Sequence, residues 1–368
     1  MTDIDLISAI VRGDPASAPA LAAASPRTFI DSARREGMLP LVADRVAAWP
    51  AAAHLAAELR AEAAGFVAAD LAREQELRRA LDALAAQGVQ AVLFKGAALA
   101  YTHYARPDLR PRDDSDLIVP PDAREAAHAV LAGLGYRPVV HVTGALVSYQ
   151  AIYEKVHGGA VVHVIDLHWR IANPQLFADV LTVDELQCTS LAIPALGPSA
   201  RGPSAPHALF LACVHRVAHH RDEKLLVWIH DIHLIASRLT AAEWDAFLDL
   251  ADRREMKAIC RQGLDLAIRH FDTAIPASVL NDPRLAIGGG PAERSASFLR
   301  RDRAQLATFV SDVRALRSWT DRARLLREHL CPSSAYMRQV YAPSSRAPLP
   351  ALYLLRAARG AWRWIARA

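Results

Sequence analysis

Two short apolar runs, each carrying aspartates, constrain this chain more than any other feature. Asp114 and Asp116 open the run Asp114-Ser115-Asp116-Leu117-Ile118-Val119, and Asp166 stands within Val161-Val162-His163-Val164-Ile165-Asp166-Leu167-His168-Trp169. Side chains two apart on a strand share a face, so Asp114 and Asp116 are expected to project together. If the two strands are neighbours, Asp166 joins them and three carboxylates converge. Two carboxylates about 4 Å apart repel by about 4 kcal/mol at an effective dielectric of about 20. Such a cluster calls for cations. Magnesium or manganese fits, because hard cations take oxygen ligands and often bind beside substrate phosphates.

Upstream, Val89-Gln90-Ala91-Val92-Leu93-Phe94 reads as a buried strand that ends in Lys95-Gly96 before helical composition resumes at Ala97-Ala98-Leu99-Ala100-Tyr101. A strand, a glycine and a helix N-terminus make an anion site, since free backbone N–H groups and the helix dipole face the ligand. Gly96 would let the backbone approach a phosphate closely. Lys95 is one of only four lysines among 43 basic residues, so a compact ammonium is used sparingly. Asp113 is expected to be a turn residue facing away from Asp114. Arg112 is expected to be solvated or paired with an acid, and Trp169 to be a packed indole.

Together, Lys95-Gly96, Arg110-Pro111-x-x-Asp114-x-Asp116-Leu117-Ile118-Val119 and Asp166-Leu167-His168-Trp169 resemble the signature of the uncharacterised nucleotidyltransferase family, part of the DNA-polymerase-beta-like nucleotidyltransferase superfamily. The resemblance continues through His219-His220-Arg221 and Trp228-Ile229-His230-Asp231-Ile232, and into Cys331-Pro332-Ser333 to Tyr341. Two features depart from the superfamily. Lys95-Gly96 replaces its Gly-Ser pair, and the spacing from Gly96 to Asp114 is longer than in its polymerases. The resemblance implies a two-metal transfer in which Asp114, Asp116 and Asp166 are catalytic and hold two magnesium or manganese ions. A nucleoside monophosphate would pass from a nucleoside triphosphate, with ATP expected, to a hydroxyl of a small molecule, peptide or sugar, releasing pyrophosphate. Lys95, Gly96, Arg110 and His168 would bind the nucleotide: Arg110 because its planar fork fits phosphate oxygens, His168 because it shares the strand face of Asp166. The alternatives are phosphate or pyrophosphate transfer from the same site, or a catalytically silent nucleotide-binding scaffold.

A second constellation lies further on. His215 and His219 are four apart on a predicted helix, with Cys213 and His220 nearby, followed by His230 and His233. Histidines at that spacing can bind zinc, but no paired cysteines or close third ligand complete a closed site. These side chains are expected instead to line the cleft facing the nucleotide, or to cap and pair along helices. Asp231 is expected to fix His220 or Arg221.

The predicted fold class is α+β: a small mixed nucleotidyltransferase sheet with helices, flanked by N-terminal and C-terminal helical segments. Boundaries are read at 1–87 (N-terminal helical segment), 88–200 (nucleotidyltransferase core), 201–280 (helical domain) and 281–368 (C-terminal helical segment with a basic tail). An amphipathic helix is read over Phe66 to Leu84, with an apolar stripe of Leu71, Leu77 and Leu81. A helix opens at Pro121-Asp122 and closes near Gly133-Leu134-Gly135, and Tyr136 to Val142 reads as a strand. Ala151 to Val156 and Ala160 to His168 read as a hairpin turning at Gly158-Gly159. Arg201-Gly202-Pro203-Ser204 reads as a linker, and helical periodicity returns from Pro206 to Phe271. Gly288-Gly289-Gly290-Pro291 reads as a break rather than a phosphate loop.

Hydrophobic residues at 52% and charged residues at 22% describe a folded globular protein. A net charge of +4 is too mild to call for nucleic acid, which is not an expected partner. The cysteines Cys188, Cys213, Cys260 and Cys331 fall in no pairing motif and read as reduced thiols in the cytoplasm. Neither a signal peptide nor a transmembrane segment is expected. The tail from Leu352 carries Arg356, Arg359, Arg363 and Arg367 without an acid, interleaved with Leu354, Leu355, Trp362 and Trp364. That pattern suits a membrane surface, RNA or an anionic acceptor, but it fits better a docked helix whose arginines face water.

Overall fold

The computed structural model describes the chain apart from residues 48, 50–52, 143, 288–292, 300–304, 343–346 and 366–368, and apart from the side chains of 53, 54, 305, 306 and 360–365. The break at 288–291, the side chains of Trp362, Arg363 and Trp364, and Arg367 lie outside the described residues.

Helices α1 (Asp3–Arg12), α2 (Ala18–Ala23), α3 (Pro26–Arg35) and α4 (Leu39–Val46) lead into the long α5 (Ala53–Ala86). The C-terminal part of α5 buries Leu77, Leu81 and Leu84, but Leu71, expected on the same stripe, is exposed. Six residues before Leu77 is about 240° around a helix, which puts Leu71 on another face. Strand β1 (Val92–Leu93) is shorter than the expected run, and α6 (Lys95–Thr102) follows it directly. Next come β2 (Ser115–Ile118) and α7 (Arg124–Gly133), then β3 (Arg137–Pro138), only two residues where Tyr136 to Val142 was expected. β4 (Gln150–His157) and β5 (Ala160–His168) form the expected hairpin. Its turn residues Gly158 and Gly159 have φ of 58° and 82°, the left-handed region that glycine enters without penalty.

The five strands form one mixed sheet in the order β1-β2-β5-β4-β3. β2 and β5 run parallel, and the other pairs are antiparallel. With the flanking helices this is the α+β architecture expected. The side-chain period of two divides the sheet. Leu117, Val119, Ile165 and Leu167 pack with Leu77, Leu81 and Leu84 of α5 and with Ala127 and Leu131 of α7. Asp116, Ile118, Asp166 and His168 occupy the alternate positions, and Ile118 belongs to the other core. The carboxylates are thereby turned away from α5 and α7.

After the sheet come α8 (Gln175–Ala178), α9 (Val183–Cys188), β6 (Leu191–Ala192) and β7 (Arg201–Gly202). β6 and β7 pair with each other, so Arg201 and Gly202 are not a linker. Helices α10 (Ala205–Ala218), α11 (Leu226–Ala236), α12 (Ala241–Arg253), α13 (Lys257–Phe271) and α14 (Ala277–Leu280) complete the main helical layer. Its core is continuous with that of the N-terminal helices: Ile7, Ile10, Leu39 and Leu59 share one buried cluster with Phe210, Ile229, Phe247 and Leu264. Helices α1 and α4 and the first half of α5 thus share a core with α10–α13. The C-terminal helices are α15 (Gln305–Ala315), α16 (Trp319–Leu330), α17 (Ser334–Tyr341) and α18 (Leu349–Ile365).

Candidate active site

Strand pairing fixes the first two site residues. Asp116 on β2 and Asp166 on β5 are register partners in the parallel pair, as are Ile118 and His168. One acceptor or donor atom from each of Asp116, Asp166 and His168 lies within 4.8 Å of the others, and all three residues are buried. His168 Nε2 is 3.1 Å from both Asp116 Oδ1 and Asp166 Oδ2. The Phe94 ring meets the imidazole in a T-shaped contact, with centroids 5.0 Å apart.

Asp114 stands just outside this group. β2 begins at Ser115, so the residue before it is not held by strand pairing. It is still close enough to feel the others: the negative charge of Asp116, then burial, pushes its carboxyl up to about 7. Asp113 is exposed, as expected for a turn residue. Arg112 is buried and paired with Asp70 at 2.5 Å, as the acid-paired reading required.

Lys95 enters from the joint between β1 and α6. Its backbone φ of 53° is in the left-handed region, a costly place for a residue with a side chain. Its ammonium donates to Asp116 Oδ1 at 2.7 Å and sits 3.3 Å from His168 Nε2. Burial would raise the Asp116 carboxyl, but Lys95 and His168 outweigh it and hold the group well below its ordinary value. His168 shows the opposite contest. Burial and Lys95 push it down, yet Asp166 and Asp116 bring it out above the ordinary histidine value.

Arg110, expected to contact a triphosphate, is paired here with a carboxylate. Its Nε donates to Asp231 Oδ1 at 2.9 Å and its Nη2 to Asp231 Oδ2 at 2.8 Å, a buried two-point pair that ties the β2 approach to α11. Tyr104 adds a hydroxyl donated to Asp231 Oδ1 at 2.8 Å. Asp231 therefore fixes Arg110 and Tyr104, not His220 or Arg221. Gly96 makes room for the same guanidinium: a Cβ there would stand 2.9 Å from Arg110 Nη2. A small cleft between α6 and α10–α11 is lined by Lys95, Gly96, Arg110, His215, Trp228 and Asp231.

The histidines gather beside this cleft. His215 and His220 approach to 3.2 Å through their Nε2 atoms, and His220 stacks on Trp228 with centroids 4.0 Å apart. The His219 ring is 6.2 Å from that of His168. Burial drives His215 and His219 well below the ordinary value and His220 down to about 4, so they are uncharged near neutrality. Among the described residues the only group of three or more such side chains close enough to hold a metal ion is Asp116, Asp166 and His168. Trp169 is half-buried with the Arg124 guanidinium 5.1 Å over its ring.

Gln150 was not identified from sequence. Its side-chain amide donates to Asp166 Oδ2 at 2.8 Å. A signal existed: Ile152 is the register partner of Asp166, and Gln150 is its same-face diagonal neighbour once the hairpin turn is placed. The other carboxylate oxygen, Asp166 Oδ1, is buried with no hydrogen-bond partner. Buried acceptors are normally satisfied. An unsatisfied oxygen beside a second carboxylate and an imidazole fits a divalent cation such as magnesium or manganese.

The sequence matches the uncharacterised nucleotidyltransferase family over residues 22–272. No curated protein matches it. Among solved structures, the solution structure of the antibiotic-resistance factor ANT(2'')-Ia is similar at 17% identity, covering 55% of this chain and 99% of that one, with a TM-score of 0.36.

Proposed function

Because the chain belongs to the uncharacterised nucleotidyltransferase family, we propose that it moves a nucleoside monophosphate from a nucleoside triphosphate, ATP in the first instance, to a hydroxyl of a small molecule, peptide or sugar. The observation that carries this reading is the convergence of Asp116, Asp166 and His168 within 4.8 Å on one sheet face. Asp116 and Asp166 would hold magnesium or manganese, with Asp114 joining them as triphosphate and metal arrive. The metal would neutralise the triphosphate and lower the pKa of the acceptor hydroxyl.

The chain's own residues have separate tasks. Gln150 orients Asp166 and leaves its second oxygen free. Lys95 keeps Asp116 ionised in the resting protein and turns to the phosphates when a cation takes its place. Arg110, locked by Asp231, and Gly96 shape the cleft wall, and His168 holds the two carboxylates in register. The acceptor oxygen attacks the α-phosphorus, the bond from that phosphorus to the β-phosphate oxygen breaks, and pyrophosphate departs while the hydroxyl proton is lost to solvent. On this reading residues 88–200 supply the transfer chemistry and residues 201–280 the facing wall. A cytoplasmic setting accords with four free cysteines.

The test is pyrophosphate release from each of the four nucleoside triphosphates with magnesium, followed by mass spectrometry of candidate acceptors. An acceptor heavier by a nucleoside monophosphate, lost in Asp116→Asn and Asp166→Asn, supports the proposal. A gain of phosphate or pyrophosphate would replace it with the corresponding transfer. Nucleotide binding without turnover would make the protein a scaffold.

A further inference from the structure

Charge is distributed very unevenly along this chain. Residues 314–368 hold eleven arginines against two acids, Asp321 and Glu328, a formal +9, whereas the whole chain carries +4. Both acids are used internally. Asp321 accepts from the Ser318 hydroxyl at the start of α16, and Glu328 accepts from the backbone N–H groups of Ala145, Leu146 and Val147. The family match ends at residue 272, so the basic segment, with the Cys331 to Tyr341 stretch read as continuing the resemblance, lies beyond it.

The same segment exposes large apolar side chains. Trp319, Leu326 and Leu330 of α16 are 80%, 45% and 62% exposed. Spacings of seven and four put all three within about 40° of one another around the helix. Arg322 and Arg327 flank this stripe on either side. Leu354 and Leu355 form an exposed pair on α18. α18 is tied to the end of α16 through Tyr353, whose hydroxyl donates to Pro332 O at 2.6 Å, and Arg356, which donates to His329 O at 3.0 Å.

We propose that α16 and α18 form a docking surface for an anionic lipid membrane, with Trp319, Leu326 and Leu330 entering the headgroup region and the flanking arginines pairing with lipid phosphates. A tryptophan and leucine stripe edged by arginine is the composition of a helix that lies in a membrane interface. Charge complementarity selects this occupant. A second copy would bring an equally positive stripe to the same face, and a nucleic acid would leave the leucines in contact with a polar backbone. Among the described residues no helix is long and apolar enough to cross a membrane, so the contact is peripheral. The proposal does not rest on the reaction assigned to the sheet.

The full chain is sedimented with phosphatidylglycerol vesicles and, separately, with phosphatidylcholine vesicles. The expected result is salt-sensitive binding to the first and little to the second. Replacing Trp319, Leu326 and Leu330 together by serine is expected to weaken binding by about tenfold or more, with circular dichroism and vesicle-free pyrophosphate release unchanged. Arg322→Glu with Arg327→Glu is expected to weaken it likewise. Absence of binding to phosphatidylglycerol vesicles overturns the proposal, as does undiminished binding by the serine variant. So does size-exclusion evidence that the stripe joins two copies, or transfer of the serine-sensitive binding to RNA in place of lipid.

Discussion

Lys95 Nζ stands 2.7 Å from Asp116 Oδ1, and both side chains are buried. The ammonium is therefore a built-in cation for a carboxylate largely shut off from solvent. Breaking a buried pair by removing one partner costs about 3–5 kcal/mol. Lys95→Gln is expected to melt well below the parent in chelator. Added manganese should recover more stability in the variant than in the parent, because it supplies the missing charge. Thermal melts with and without manganese check this. An equal response in the two proteins would sink the idea that metal and lysine compete for Asp116.

Arg110 and Asp231 come from residues 121 apart in sequence and meet in a two-point buried pair. Asp231→Ala would strand a buried guanidinium and is expected to cost about 3–5 kcal/mol in denaturant unfolding. Gly96→Ala is expected to destabilise through the same group, since its Cβ would press on Arg110. A double-mutant cycle between positions 96 and 110 should show coupling, and purely additive effects would contradict the packing account.

Glu328 reaches from α16 to cap the loop before β4, accepting from the N–H groups of Ala145, Leu146 and Val147 at 3.0, 2.9 and 3.1 Å. Burial would raise its carboxyl, but these N–H groups and Arg324 hold it below its ordinary value. Any side chain on Gly144 would overlap the carboxylate. That loop leads directly to Gln150 and hence to Asp166. Glu328→Gln is expected to speed amide hydrogen exchange at residues 145–147 while leaving α10–α13 unchanged. Unaltered exchange at those three amides would remove the bracing role.

His163 sits between Ser115 Oγ at 3.0 Å and the Tyr136 hydroxyl at 2.6 Å. Burial, reinforced by Arg73, Arg112 and Lys155, lowers it from 6.5 to about 3. The unfolded chain thus binds this proton more readily than the folded one. Its stability contribution is complete above pH 6.5 and is lost progressively as pH falls towards 3. Within that window each such histidine contributes a slope of up to about 1.4 kcal/mol per pH unit. Denaturant unfolding between pH 7 and 5 should show His163→Gln losing stability less steeply than the parent; an unchanged slope would mean that His163 titrates normally.

The legible part of the fold was the part set by local chemistry. Gly158-Gly159 announced the hairpin, and the valine-rich run from Ala160 to His168 forms the strand as read, so Asp166 could be placed on a face. The Asp114–Asp116 pair was half legible. Two-residue spacing predicts a shared face only within a strand, and β2 starts one residue after Asp114. Pairings between distant segments had no sequence signal: Arg110 with Asp231, and Glu328 with the 145–147 loop, depend on how α11 and α16 pack. The Arg110 guanidinium beside Gly96 likewise has no local sequence signal. Leu71 is apolar and helical yet exposed, because its angle around α5 sets it off the buried stripe.

Joint retention of a divalent metal by Asp116 and Asp166 is open to manganese titration followed by electron paramagnetic resonance. Manganese should bind the parent protein in the presence of nucleoside triphosphate, and Asp166→Asn and Asp116→Asn should each abolish that binding while keeping the fold. Manganese binding of equal affinity in the parent and both variants would contradict the account.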